Sequence, residues 1–302
     1  MISSLNSSNQ AFVNSLDLIT QQLDNDQLEV SSGISMRQPS DAPDQVSELL
    51  QARASLASSQ QISTNLTSVT TEVNTGESSL ESAVQLFDQV QTLAATSATG
   101  TATAATRSQD SQQLQSIEQQ MVGLANTSIE GRYIFAGDKD QAEPYAYDST
   151  QTDQVSAYQG SATTREIQSA NGSAFPVALT AQQIFDSTDP TTNVFTALNS
   201  LITAMNNNDQ TTITTLVNGL PAVAAYLNQQ LAFYGTTQDN VSAATEFATT
   251  QQTQLQTQIS NLQDANETAV IEEMTQAQTQ LQAALTSKAD IPKTTLFDFL
   301  SP

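Results

Sequence analysis

The chain of 302 residues carries 8 Lys+Arg against 31 Asp+Glu, a formal net charge of -23, which leaves no clustered cations for a nucleic-acid surface and would repel an anionic membrane. Hydrophobic residues make up 38% and aromatics 5%, with no Trp, lean values for a compact enzyme of this length. Cys and His are both absent, which rules out disulfides, thiolate nucleophiles, ordinary zinc ligand sets and imidazole acid-base chemistry.

Residues 1 to 10 are rich in Ser and Asn and are expected to be disordered in the free monomer. They lack a basic n-region and an apolar h-region, so no cleavable signal peptide is expected and any export would take another route, and no apolar run is long enough to span a membrane. From Phe12 the positions Phe12, Leu16, Ile19, Leu23 and Val30 recur at alternating gaps of four and three, with Asp26 interrupting. That spacing predicts an amphipathic helix with one narrow apolar seam, which needs a partner helix. The helix should stop near Ser31 and Ser32, with Gly33 free to turn left-handed. Pro39 and Pro43 forbid a continuous helix through the next stretch, where Ser40, Asp41 or Ala42 can cap the following one.

From Val46 apolar residues keep helical spacing through Leu66, Val73, Gly76, Leu80, Phe87 and Ala94. This predicts one helix of roughly fifty residues, on the order of 75 Å at 1.5 Å per residue. The segment around Gly100 breaks it, and Leu114, Ile117, Met121 and Leu124 predict a second, antiparallel helix ending near Ile129. The period changes at Gly131, where GRYIFAG opens a stretch of short candidate strands at 145–147, 155–158, 165–168 and 175–179 between turn clusters. Helical spacing resumes at Val194 and runs to Met205. After a turn it continues from Ile213, with a kink or break predicted at Pro221. Toward the end, Leu255, Ile259, Leu262, Ala269, Ala277, Leu281, Ala284 and Leu285 form a second seam interrupted by Asn266 and Glu273, the candidate mate of the first. Pro292 ends that helix and leaves an apolar tail of Leu296, Phe297, Phe299 and Leu300, suited to burial against another subunit.

The expected architecture is therefore mainly α: an elongated antiparallel helical rod with paired N- and C-terminal helices and a small inserted β-rich domain. Residues 1–40 and 262–302 form the terminal pair, 41–131 and 190–261 the rod, and 132–189 the insertion. Other constellations have plainer readings. Asp17, Asp24, Asp26 and Glu29 lack the Gly and Glu positions of an EF-hand and read as a solvated face. Asp138, Asp140 and Glu143 read as a polar turn rather than a glycosidase pair. The Asn-x-Ser/Thr triplets at Asn65, Asn126 and Asn266 are expected by chance in so Ser- and Thr-rich a chain. No catalytic, cofactor or metal site is expected.

Four stretches carry a resemblance. SSGISMRQPSDAP, with Gly33, Arg37, Pro39, Ser40, Asp41 and Pro43, is similar to the Gly/Pro-punctuated spoke of the flagellin superfamily, Ala42 replacing an Asp. ANTSIEGRYIFAG resembles that family's approach to its outer domain, AYQGSATTREIQ with FPVALTAQQIFD its strand pair and return helix, and the heptad helix with TTLFDFL its C-terminus. Because of GRYIFAG the chain resembles the hook-associated junction branch more than the filament flagellins. The resemblance implies a non-enzymatic, extracellular flagellar protein exported through the type III channel and self-associating in a helical ring. Its implied partners are a neighbouring hook-associated protein on one side, flagellin on the other, and an export chaperone for the C-terminal helix, with no nucleic acid and no membrane insertion.

Overall fold

The structure is a computed structural model that describes residues 2–151 and 154–289. Seven helices and two short hairpins make up the described chain: α1 (Ile2–Ser32), α2 (Val46–Ser97), α3 (Ala104–Ala125), β1 (Ser128–Ile129), β2 (Arg132–Tyr133), β3 (Glu166–Gln168), β4 (Ala174–Pro176), α4 (Ala181–Phe185), α5 (Val194–Asn206), α6 (Gln210–Gln263) and α7 (Glu267–Ala289). The fold is mostly helical, with paired long helices and a small inserted β region. No described helix is long and apolar enough to cross a membrane. Two compact units can be distinguished, one built from both ends of the chain, up to Ala57 and from Gln252, the other from Ser58–Gln251.

The Ser58–Gln251 unit holds the main core. α2 and α3 lie antiparallel, because Ser97 Oγ donates to Asp110 at 2.5 Å at one end while Ser79 and Thr127 hydroxyls meet at 3.1 Å at the other. Arg107 closes that first end, donating to Ser97 O at 2.9 Å and to Asn208 Oδ1 at 2.6 Å. Leu66, Val73, Leu80, Phe87, Val90 and Ala94 are buried along α2, as their spacing predicts, against Leu114 and Met121 of α3 and Leu198, Leu201 and Leu227 of α5 and α6. Gly76 lets the Tyr234 ring approach α2, since a Cβ there would run into it. The exposed faces solvate themselves without charge: Thr and Ser hydroxyls such as Thr64, Thr67, Thr71 and Thr75 donate to carbonyls four residues back.

The insertion contains less strand than its composition predicts. Only the 165–168 and 175–179 candidates pair as strands, β3 with β4, Ile167 opposite Phe175. The 145–147 and 155–158 candidates reduce to one bridge, Tyr147 to Val155. Backbone bonds from Ser156 N–H to Ala146 O at 2.9 Å and from Asp148 N–H to Gln154 O at 2.8 Å flank that bridge, and side chains add to them. Asn126 both donates to Tyr145 O at 2.6 Å and accepts from Tyr145 N–H at 3.0 Å, while Tyr158 OH donates to Phe135 O at 3.0 Å. Tyr145 and Phe195 rings meet at 5.1 Å and Phe185 stacks on Phe195 at 5.8 Å, so the insertion is pinned by its aromatics. α3 stops at Ala125 rather than near Ile129, because the chain turns there into the β1–β2 hairpin around Glu130 and Gly131, both at positive φ.

Two further expectations are corrected. Residues 2 to 10 are helical, as α1 propagates backwards from the packed turn at Phe12 at one hydrogen bond per residue fixed. Of the kink or break expected at Pro221, the break is excluded: Pro221 lies inside α6 without ending it, next to buried Leu220 and two residues before buried Val223, whose packing offsets the lost backbone donor.

Candidate assembly surface: the paired terminal helices

α1 packs against α7. Along α1 the shielded positions after Asn9 are Phe12, Leu16, Ile19, Leu23, Asp26, Glu29 and Val30, the stripe that the four-three spacing predicts. On α7 they are Ala269, Val270, Met274, Ala277, Leu281 and Ala284. Most are half-buried; only Val270 and Ala277 are buried apolar side chains on α7, as expected for a two-helix seam without a third layer. At the far end Lys288, in the last turn of α7, donates to Asn9 Oδ1 and places its Nζ over the Phe12 ring at 5.0 Å from the centroid.

Leu281 and Ala284 lie on the α7 stripe, whereas Leu285 is 52% exposed. Leu255, Ile259 and Leu262 are half-buried but belong to α6. The continuous terminal helix expected from their common spacing is in fact two helices, broken at 264–266, because the backbone there bonds across to the first connection instead of along its own axis. Leu296, Phe297, Phe299 and Leu300 lie outside the described residues. Val270 and Met274 were missed because Glu273 beside them reads as an interruption of the series.

That double break is the second element of the site. α1 ends at Ser32, and Gly33, at φ +69°, donates its N–H to Glu29 O at 2.8 Å. Ile34 then bridges Asp264; Ser35 and Met36 donate N–H to Gln263 O at 2.8 and 3.3 Å; and Ala265 N–H donates to Gly33 O at 2.9 Å. The chain therefore leaves the helix on both strands at one level, and the freed backbone groups satisfy each other. Beyond it, Asp41 turns its carboxylate back, accepting from Gln38 N–H at 2.8 Å and Arg37 N–H at 3.0 Å around Pro39 and Ser40. Those bonds hold its carboxyl below the usual range. Asp41 thus locks the turn instead of capping α2, whose Val46 N–H donates to Ala42 O at 3.2 Å just after Pro43. Arg37 donates to Asn25 Oδ1 at 3.4 Å and Arg53 to Gln263 Oε1 at 2.6 Å. Ile34 and Met36, the second buried, carry this junction; their alternation with Ser35 and Arg37 is the strand-like signal that could have found them.

The seam carries an electrostatic fault. Asp26 is 5% exposed and its Oδ2 is buried without a hydrogen-bond partner. Burial, and then the Glu273 carboxylate, push its carboxyl up. Glu29 is also pushed up, first by burial, with Asp26, Glu273 and Asp41 adding and Arg37 opposing. The acids that interrupt the two apolar series thus face each other. Among the described residues no group of three or more acidic side chains is placed to hold a metal ion.

The arrangement is two ends of a chain zipped along a narrow stripe. Residues 2–140 match the family model of the bacterial flagellin N-terminal helical region, and residues 217–300 that of the C-terminal helical region. No curated protein matches the chain. Among solved structures, a putative flagellar hook-associated protein from Vibrio parahaemolyticus is similar at 19% identity, covering 74% of this chain and 100% of its own, with a TM-score of 0.65. The flagellar hook associated protein-3 of Legionella pneumophila is similar at 10% identity, covering 70% and 98%, with a TM-score of 0.61. The FlgL of Bacillus cereus is similar at 20% identity, covering 69% and 98%, with a TM-score of 0.57. These likenesses concern the fold, whereas the two terminal matches together span well over half of the residues: the chain belongs to the family defined by the bacterial flagellin terminal helical regions.

Proposed function

We propose that this chain is a non-enzymatic structural subunit of the bacterial flagellum that joins hook to filament and assembles through its terminal helices. The observation that carries the reading is the α1–α7 pair. It spends one stripe on itself and leaves Val13, Leu18, Leu28, Ile271 and Leu285 exposed, Leu18 at 67%, apolar area that a helical ring of copies would cover. On this reading 1–40 and 262–302 line the inner tube, 41–131 and 190–261 form the rod, and 132–189 faces outward. Its neighbours are a hook-associated protein on the hook side and flagellin on the filament side, and an export chaperone holds the C-terminal helix before secretion without a cleaved signal peptide.

Cells lacking the chain are expected to bear hooks without filaments and to lose flagellin to the medium. Ile19→Asp combined with Leu281→Asp is expected to reproduce that loss, and normal filaments in the double variant would refute the seam. A filament subunit is the alternative reading, favoured by the match to both flagellin terminal regions. Copy number separates the two, since a junction needs few copies and a sheared filament consists of very many.

A further inference from the structure

Beside the double break lies a hollow of about 290 Å³. Ile34, Met36, Pro39, Leu49 and Leu50 line it, together with Arg37 and Arg53. Met36 and Leu49 are buried, whereas Leu50 stands 59% exposed beside them. An open leucine next to an apolar hollow is an unfilled contact. The charge is unusual too: two of the 8 Lys+Arg in a chain of net charge -23 sit at one small site. Among the described residues the salt bridges are Arg132–Asp140 and Arg165–Glu72, so neither of these two arginines is ion-paired. Arg37 lies within the field of Glu29 and Asp41, which leaves Arg53, bonded only to the neutral Gln263 amide, as the better cation for an incoming carboxylate.

We propose that this hollow receives residues 296–300 of a second copy of this chain, with Phe297 and Phe299 against Leu49 and Leu50 and Asp298 beside Arg53. The segment has the matching chemistry, four large apolar side chains around one acid. Chain length makes the contact intermolecular. α7 starts next to the break and runs 23 residues away from it, about 35 Å at 1.5 Å per residue. The contact of Lys288 with Phe12, far up α1, places the end of α7 at the same remove. An extended chain covers at most about 3.6 Å per residue, so from Ala289 Leu296 reaches about 25 Å and Phe299 arrives only when fully stretched. The four side chains cannot fill their own hollow, whereas a neighbour displaced along the helix axis brings its tail to it.

This inference rests on the reading that the ends of the chain mediate self-assembly, and the two can fail separately. The 302-residue chain has no cysteine, so single thiols report cleanly. Leu50→Cys and Phe297→Cys proteins, tagged to differ in size, are mixed and oxidised with copper phenanthroline. A mixed dimer is expected in at least about tenfold excess over that from Leu18→Cys with Phe297→Cys, the discrimination one anchoring aromatic supplies. Arg53→Glu in the Leu50→Cys protein should lower the yield, and Asp298→Lys in the other partner should restore it. Absence of the mixed dimer, equal trapping at Leu18→Cys, or an intrachain disulfide predominating in a dilute Leu50→Cys/Phe297→Cys double variant each overturns the proposal. Leu50 and Arg53 are exposed, so unchanged far-ultraviolet circular dichroism separates a lost contact from a lost fold. If Ile19→Asp with Leu281→Asp stops assembly while the thiols fail to trap, only the docking is wrong; if they trap while cells lacking the chain keep their filaments, only the junction role is wrong.

Discussion

Replacing Asp26 by Asn should tighten the α1–α7 pair. The wild-type carboxylate is 5% exposed, has one buried oxygen without a partner, and faces Glu273. An unsatisfied buried polar group costs about 1–3 kcal/mol. The low end applies here, because the seam is only two helices thick and water lies a side chain away. Removing the charge is then worth about 1 kcal/mol, about a fivefold change in local opening. The pH dependence has a definite sign. A carboxyl whose folded pKa is raised binds its proton more tightly in the folded state, so its stabilising contribution is full below the ordinary carboxylate range and is lost as pH rises through the raised value. Wild type and Asp26→Asn should therefore exchange alike in acid and diverge toward neutrality, the variant being slower. Hydrogen exchange on α1 and α7 peptides, compared at matched pH so that intrinsic rates cancel, reads this directly. Equal exchange at neutral pH, or a difference that widens toward acid, would refute the reasoning.

Gly33→Ala meets no neighbouring atom, so its cost is the backbone strain of φ +69°, about 1–2 kcal/mol, and Gly33→Asn should cost less; exchange at the amides of 33–36 measures both. Gly76→Ala drives a methyl into the Tyr234 ring, and its overpacking of about 1–3 kcal/mol should lower the melting temperature by several degrees, most of which Tyr234→Ala in the same chain should no longer allow Gly76→Ala to cause. Lys288→Ala removes the cation from the Phe12 ring, an exposed contact worth about 0.5 kcal/mol, and should speed exchange only at the open end of the helix pair. Self-association, measured by sedimentation, should rise with added salt because the net charge of -23 is then screened, and salt-independent sedimentation would exclude that repulsion as the controlling force.

Helical spacing exposed the α1 stripe residue by residue because a two-helix seam has one apolar direction and no competing layer. The partner helix was legible only in part. Asp264, Ala265 and Asn266 break the heptad series no more visibly than Glu273 does, yet they end a helix, because Gly33 and Ile34, distant in sequence, supply the hydrogen-bond partners that make the break inexpensive. Nor does a local pattern reveal which Tyr of the insertion satisfies which carbonyl. Strand spacing at 145–158 is real and leaves a short run of cross-bonds around Tyr147 and Val155, but Asn126 ties Tyr145 and the Tyr158 hydroxyl ties Phe135, contacts that no local pattern predicts. The hollow beside Leu50 escaped for the same reason, since Gln263 and Ile34 meet there from opposite ends of the chain.

The stitched break between Ile34 and Asp264 behaves like the pin of a hinge. An unbroken pair of helices bends only by stretching one side, and a break in a single helix would let the two strands slide out of step. Here both strands give way at the same height while the bonds from Gly33 through Met36 keep them from slipping lengthwise. Tilt is permitted and shear is not. In the assembly proposed above, each copy would lean at this level to fit its place while the stripe from Phe12 to Val30 stays in register with α7.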